Sequence, residues 1–329
     1  MTGVMSGGPG APVVVAVGEG DGDPCLEWAA AEASARGCGL HVLHAARPCW
    51  GLDPSGLVSV PDLWPYRAVA DQVLEAAVSR VRSLFPDVEV VAEAVFGSTA
   101  PAMVSRGAGA QLLVIGSVYA PFTPRLRGLL GSSVCDRVLG RAACPVAIVR
   151  PLRSDGYGGS SPRVVVGVDA SRGSADALGF AFRAAAQRGI PLTAVHGWTP
   201  DSPADHEAVC GSVAESRDKA GSRLEEALGP WIRRFADVPV HPRPTADDPV
   251  TALVRESEGA ALVVVGSRGR GAARTRLLRS VSRGVTQRAR CPVVVVRSIT
   301  AMAADRRTVV PATDPMRIER LQGRRLPWR

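Results

Sequence analysis

The sequence is poor in lysine and in aromatic residues, and it has no long apolar run. Its only lysine, Lys219, lies in Asp218-Lys219-Ala220, so the chain lacks the Gly-Lys-Ser/Thr loop of P-loop NTPases. No apolar run is long enough to span a bilayer, and residues 1–11 lack the charged start and apolar core of a signal peptide. We therefore expect a cytoplasmic protein with a flexible leader over residues 1–11 and no membrane partner.

The motifs of the common hydrolases and metal proteins are also missing. The seven cysteines are scattered and never form Cys-x-x-Cys, and the five histidines show no ligand spacing. There is no Gly-x-Ser-x-Gly and no His-Glu-x-x-His. This pattern indicates reduced thiols and predicts neither a metal site nor a catalytic residue.

The positive charge is concentrated at the end of the chain. The net charge is +8, and residues 301–329 carry seven of the arginines against three acids. That segment has no sustained apolar period and several prolines, so we predict a basic, mostly disordered tail over residues 299–329. Because the remainder is only mildly basic, nucleic-acid binding is the least favoured function.

The sequence contains two copies of one pattern, about 150 residues apart. We predict domains over residues 12–150 and 163–298, with a Gly/Ser-rich linker at 151–162. The paired segments are Val13–Val17 with Val164–Val168, Leu40–His44 with Leu192–His196, Gly109–Ser117 with Gly259–Ser267, and Cys144–Arg150 with Cys291–Arg297.

Each copy alternates short valine-rich runs with helical stretches. In the second copy we predict strands near 164–168, 192–196, 238–241, 262–265 and 293–296, with helices between them. Near-continuous apolar strands separated by helices are typical of a parallel sheet covered on both faces. The fold class predicted is therefore α/β, with two doubly wound, Rossmann-like domains in tandem.

Polar and glycine residues follow three strands of the second copy. In doubly wound sheets, ligands bind at the carboxyl ends of the strands, near the switch in strand order. Asp169 follows the first strand, Gly197 the second, and Gly266 with Gly269 the fourth. A carboxylate facing a ribose or base and a glycine-rich turn facing phosphates would form a nucleotide pocket. An ordinary strand-to-loop transition has a similar composition.

In combination, these segments resemble the universal stress protein family in its tandem form. VVVGVDASRGSADAL, LTAVHGW, GAALVVVGSRGRG and CPVVVVR follow one another in family order between residues 164 and 297. The resemblance covers about Pro12 to Arg297. It implies a stress-response regulatory protein of the nucleotide α-hydrolase-like class that binds ATP, with or without Mg²⁺, and does not turn it over efficiently. The resemblance leaves open whether the protein has weak ATPase activity.

The family's ATP motif, Gly-x2-Gly-x9-Gly-Ser/Thr, carries over by position. Asp169 would contact the nucleoside, and Gly197 would supply backbone near the base. The phosphates would lie against Gly266, Gly269, Ser280, Val281 and Ser282. Arg279 stands where the motif has its third glycine. It either restricts a backbone that needs positive φ or supplies a guanidinium to phosphate.

The first copy departs further from the motif. Its first strand runs into Gly18 and Glu19, Tyr119 replaces the second glycine, and Gly131 with Ser132 is displaced by two residues. We therefore expect the first domain to bind ATP poorly and to act as a folding and pairing partner, with homodimerisation left open. The alternative function is a nucleotide-independent interaction or scaffold protein with an unknown protein partner. His44 and His196, at equivalent strand ends, are interpreted as structural.

Overall fold

The fold is described from a computed structural model of the chain. The structure describes residues 10–19, 24–48, 51–52, 58–59, 62–116, 134–150, 162–169, 172–197, 213–267 and 278–297. Among those residues, no helix combines the length and the apolar character that crossing a membrane requires. The predicted tail lies outside the described residues, as do residues 151–161 of the predicted linker and all but two residues of the leader.

The chain divides into two compact units, with the boundary between Val146 and Ala147. The first copy contains β1 (Val13–Val17), α1 (Pro24–Arg36), β2 (Leu40–Ala46), β3 (Gly51–Leu52), β4 (Val58–Ser59), α2 (Trp64–Leu84), β5 (Val90–Phe96), α3 (Thr99–Gly107), β6 (Leu112–Gly116), α4 (Val134–Arg141) and β7 (Val146–Val149). Its main strands lie in the order β5-β2-β1-β6-β7, and β3 pairs with β4 in a separate small sheet.

The second copy contains β8 (Val164–Gly167), α5 (Arg172–Arg188), β9 (Leu192–Gly197), α6 (Val213–Arg234), β10 (Val240–Thr245), α7 (Pro249–Glu256), β11 (Leu262–Gly266), α8 (Leu278–Arg288) and β12 (Val293–Val296). Its strands lie in the order β10-β9-β8-β11-β12, and all four neighbouring pairs are parallel. The strand order is thus the same in both copies.

The valine-rich runs form strands that are buried on both faces. Every residue of Val164–Val166 and Val293–Val296 is buried, as is every residue of Leu262–Val265. Burying one valine side chain contributes about 1.5–3 kcal/mol, and β-branched side chains fit the pleated backbone. The predicted α/β fold with two doubly wound domains in tandem is confirmed.

Aromatic packing fixes the two long helices of the second domain against each other. Phe182 of α5 is fully buried, and its ring stacks on those of Trp231 and Phe235 at centroid distances of 6.2 and 5.6 Å. A Cβ atom on Gly179 would lie 2.6 Å from the Trp231 ring, so only glycine lets the indole approach α5 this closely. The two helices therefore cover the sheet with little freedom to shift.

The outermost strand of this domain, β10, differs from the predicted one. The valine at 238 suggested a strand near 238–241, but the strand is Val240–Thr245 and contains Pro242 and Pro244. Proline has no backbone N–H to donate, so it is tolerated on a strand that has only one neighbour. The two prolines leave fewer free donors on this sheet edge.

Candidate functional site

The ends of β8, β9 and β11 meet at one edge of the second sheet. Val166 is registered with Val264 of β11 and with Ala194 of β9. Extending each strand by two or three residues places Asp169, Gly197 and Gly266 at the same edge. The order β10-β9-β8-β11-β12 reverses direction between β8 and β11, so this edge is the topological switch point.

Asp169 is held by a serine of the next helix. The Asp169 backbone N–H donates to Ser174 Oγ over 2.8 Å, and the Ser174 hydroxyl donates to Asp169 Oδ1. Ser174 lies in the first turn of α5 and is only 4% exposed. The carboxylate of Asp169 is therefore oriented by the protein without any ligand.

His196 supports the residue before Asp169. Its Nδ1 lies 2.6 Å from the carbonyl oxygen of Val168, while the Val168 N–H donates to the carbonyl oxygen of Val195 over 2.8 Å. Since a carbonyl only accepts, Nδ1 carries the proton of this hydrogen bond. The histidine fixes the end of β8, as its structural interpretation predicts.

The glycine at 197 is required by packing. A Cβ atom there would lie 2.8 Å from Pro249 Cα and 2.9 Å from the carbonyl oxygen of Asp247. Both atoms belong to the backbone that leads into α7, so this segment crosses directly over the end of β9. The family resemblance implies that Gly197 supplies backbone near a base, and the structure adds that two backbone segments approach each other closely there.

Two acids at the start of α7 were missed by the sequence analysis. Asp248 caps the helix, because its Oδ2 accepts from the N–H of Thr251 over 2.9 Å. Asp247 Oδ2 accepts from Thr245 Oγ1 over 2.9 Å and from Arg255 over 2.7 Å. These hydrogen bonds hold the pKa of the Asp247 carboxyl below its usual range, the Thr245 bond being the larger cause. The sequence Asp247-Asp248-Pro249 ahead of an apolar helical stretch is the pattern from which the two acids could have been identified.

The residues aligned with the end of the ATP motif lie on α8. This helix begins at Leu278, so Arg279, Ser280, Val281 and Ser282 all belong to its first five residues. Helical residues have φ near −60°. Arg279 therefore occupies a backbone conformation open to any residue, and no positive φ demands glycine there. Gly269 lies outside the described residues.

Ser267 presents an unusual polar atom at this edge. Its Oγ is inaccessible and makes no hydrogen bond within the described part of the chain, although its backbone N–H donates to the carbonyl oxygen of Val296 over 2.8 Å. A buried hydroxyl without a hydrogen-bond partner is uncommon in proteins. The residue directly follows Gly266.

The corresponding edge of the first domain keeps the histidine but not the acid. His44 Nδ1 lies 3.1 Å from the carbonyl oxygen of Val17, as His196 does from Val168. The next residue, Gly18, has no side chain to replace Asp169. A Cβ on Gly116 would lie 3.0 Å from the Cys25 sulfur, so a thiol of α1 fills space beside the end of β6.

Metal-ligand grouping and the state of two cysteines can be read from the described residues. Within the described ranges, no three His, Cys, Asp or Glu side chains group closely enough to hold a metal ion. Cys144 and Cys291 are buried at the entries to β7 and β12, and burial raises the pKa of each thiol to about 12. Both are small residues of the core.

Comparison with known proteins identifies relatives over almost the whole of both copies. The model of the universal stress protein family matches residues 11–150 and again 161–297. Universal stress protein Rv2005c of Mycobacterium tuberculosis is 35% identical over 298 residues, covering 87% of this chain and 96% of the relative. Universal stress protein Rv2623 of the same species is 32% identical, covering 83% and 91%.

A solved structure supports the fold. The crystal structure of a universal stress protein from Archaeoglobus fulgidus superposes with a TM-score of 0.64 at 21% identity, covering 89% of this chain and 97% of that one. At this identity the similarity establishes the architecture alone.

Proposed function

This chain belongs to the universal stress protein family, and we propose that it is a regulatory protein that binds an adenine nucleotide, ATP, in its second domain. The observation that carries the proposal is the convergence of an oriented carboxylate, Asp169, with Gly266 at the switch point of the sheet. Asp169 would accept hydrogen bonds from the nucleoside, and the turn after β11 would receive the phosphates.

Three further features support a ligand at this edge. Within the described residues the buried hydroxyl of Ser267 has no hydrogen-bond partner, and a phosphate oxygen of a bound nucleotide would accept from it. Arg279 is a helical residue of the first turn of α8, so its substitution for glycine strains no backbone. The N-terminus of a helix attracts anions, and an arginine there adds a full positive charge.

The remaining residues of the site are proposed by position in the family motif. Gly197 would present backbone to the base, and Gly269, Ser280, Val281 and Ser282 would contact the phosphates, with Mg²⁺ where the nucleotide carries it. We propose binding without efficient turnover, as the family resemblance implies. A bound nucleotide would then act as a signal.

The first domain is proposed not to bind ATP. Its switch point has Gly18 in place of the acid and a thiol, Cys25, against the last residue of β6. The tandem would therefore carry one nucleotide per chain.

Calorimetric titration of the full chain with MgATP tests the proposal. We expect saturable binding near one site per chain, lost or weakened at least tenfold in Asp169→Ala, since a hydrogen bond to a charged group contributes about 1.5–3 kcal/mol. Glu19→Ala, at the equivalent edge of the first domain, is the matched control and should bind as wild type does. Absence of binding at millimolar ATP would leave a nucleotide-independent interaction protein as the function to pursue.

A further inference from the structure

The buried serine of α5, Ser174, has two hydrogen bonds to the same residue. It accepts from the backbone N–H of Asp169 over 2.8 Å and donates its own proton to the Asp169 carboxylate. With 4% of its surface exposed, Ser174 is shielded from solvent and therefore also from direct contact with a ligand outside the sheet. Its two hydrogen bonds to Asp169 connect it to the candidate site.

One of these hydrogen bonds restrains the backbone of Asp169, and the other restrains its side chain. The backbone bond fixes where Asp169 leaves β8, and the side-chain bond fixes the rotation of its carboxylate. A carboxylate that is already oriented loses less conformational entropy when it accepts a ligand hydrogen bond. One of its oxygens, Oδ1, is also occupied by a protein donor, which directs ligand donors to the remaining lone pairs.

Comparison with the first domain shows that the pair of Ser174 and Asp169 is not a general requirement of the fold. There, the histidine contact to the end of the first strand is retained, because His44 lies 3.1 Å from the carbonyl oxygen of Val17. The acid is absent at Gly18, and the position equivalent to Ser174 is Asp23 by the offset of Val13 and Val164 or Gly22 by the offset of Leu40 and Leu192; neither residue is a serine. The histidine thus accompanies the fold, whereas the serine and the aspartate are present or absent together.

We propose that Ser174 is a positioning residue for nucleotide binding, acting only through the orientation of Asp169. This inference rests on the proposed function of the second domain. Ser174 sets the affinity for the nucleotide without contacting it, and its contribution exists only while Asp169 is present.

The test is a double-mutant cycle on MgATP affinity in the full chain, measured by calorimetric titration. We expect Ser174→Ala to weaken binding about tenfold. In the Asp169→Ala background, the same serine substitution should change the affinity by less than about twofold, because the residue that it orients is gone.

Ser257→Ala is the matched control for loss of a buried serine. Ser257 is fully buried, its hydroxyl donates to the carbonyl oxygen of Val254 over 2.6 Å, and it accepts from the N–H of Arg290 over 3.0 Å. It therefore has the same hydrogen-bond pattern in the same domain, outside the candidate site. Its substitution should lower the Tm while leaving MgATP affinity unchanged.

The outcomes separate the two proposals. If wild type binds MgATP and Ser174→Ala binds equally well, the positioning role is wrong while the nucleotide function stands. An equal loss from Ser174→Ala with and without Asp169 would also overturn it, since the serine would then act independently. If wild type binds no MgATP, the proposed function fails and the positioning role fails with it.

Discussion

The Nδ1 atom of His196 lies 2.6 Å from the carbonyl oxygen of Val168, and His44 makes the same contact to Val17 in the first domain. Each histidine lies within two residues of the end of the second strand of its domain, and each contacts the carbonyl oxygen of a valine at the end of the first strand (Val17) or directly after it (Val168). The recurrence shows that the contact belongs to the fold. In the second domain alone, the residue after that carbonyl is an acid, Asp169.

Replacing each histidine by phenylalanine should separate stability from ligand binding. We expect His44→Phe and His196→Phe each to lower the free energy of unfolding by about 1 kcal/mol, because each loses one hydrogen bond to a partly desolvated carbonyl. Only His196→Phe should also weaken MgATP binding. Urea denaturation and calorimetric titration measure the two effects, and equal weakening by both variants would contradict the assignment.

Gly197 should tolerate no side chain. In Gly197→Ala the new methyl group would lie 2.8 Å from Pro249 Cα, so the start of α7 has to move. We expect a loss of about 1–3 kcal/mol in unfolding free energy. The control is Gly221→Ala in α6, where nothing lies within 4 Å of the added atom; it should be neutral or stabilising by about 0.5–1 kcal/mol. A Gly197→Ala variant as stable as wild type would show that the close approach is relieved cheaply.

Arg279 should contribute through its charge. Arg279→Ala keeps a good helix former in α8 and removes the guanidinium, so we expect ATP to bind about tenfold more weakly. Adenosine, which has no phosphate, should bind both forms equally. Arg279→Gly should show the same nucleotide defect and cost about 1 kcal/mol more in stability, because glycine is a poor helix former. Tighter ATP binding by Arg279→Gly would instead identify the arginine as an obstruction.

Glu93 should make the first domain sensitive to acid. Arg106 donates to both carboxylate oxygens and His41 Nε2 lies 3.0 Å from Oε2. The Arg106 hydrogen bond is the largest cause that lowers the pKa of Glu93 from its ordinary value of 4.5. A lowered folded-state pKa stabilises the protein above the unfolded value, and this stabilisation disappears as the pH falls through the folded-state pKa.

The corresponding measurement compares Glu93→Gln with wild type across pH. At neutral pH we expect the variant to lose about 1 kcal/mol or less, since the ion pair is partly exposed and screened by solvent. Below the ordinary pKa of 4.5, the difference should shrink as the wild-type carboxyl becomes neutral. Glu75→Gln, at an exposed position of α2, is the control and should show no such convergence. A constant difference down to the acid transition would exclude ionisation of Glu93 as the cause.

The sequence predicted the parts of the fold that depend on composition over several residues. Buried strands were predicted over Leu262–Val265 and Val293–Val296 because every position in these runs is apolar. The structure has strands at both places. The boundary of β10 was misplaced because Pro242 and Pro244 argue against a strand in isolation. Only the position of β10 at the end of the sheet, with one neighbour, makes the prolines acceptable.

The amino-acid sequence by itself determined the duplication, the α/β class and the family, because repeated apolar runs and their spacing are local properties of the chain. It also placed Asp169 and Gly266 at strand ends, where a parallel sheet brings them to one edge. The tertiary structure decided what surrounds them. The pairing of Ser174 with Asp169, the hydrogen bond from His196 to Val168, and the backbone that crosses Gly197 all join residues through side-chain direction and packing. Those relationships depend on where helices dock on the sheet, which no pattern of residue types along the chain specifies.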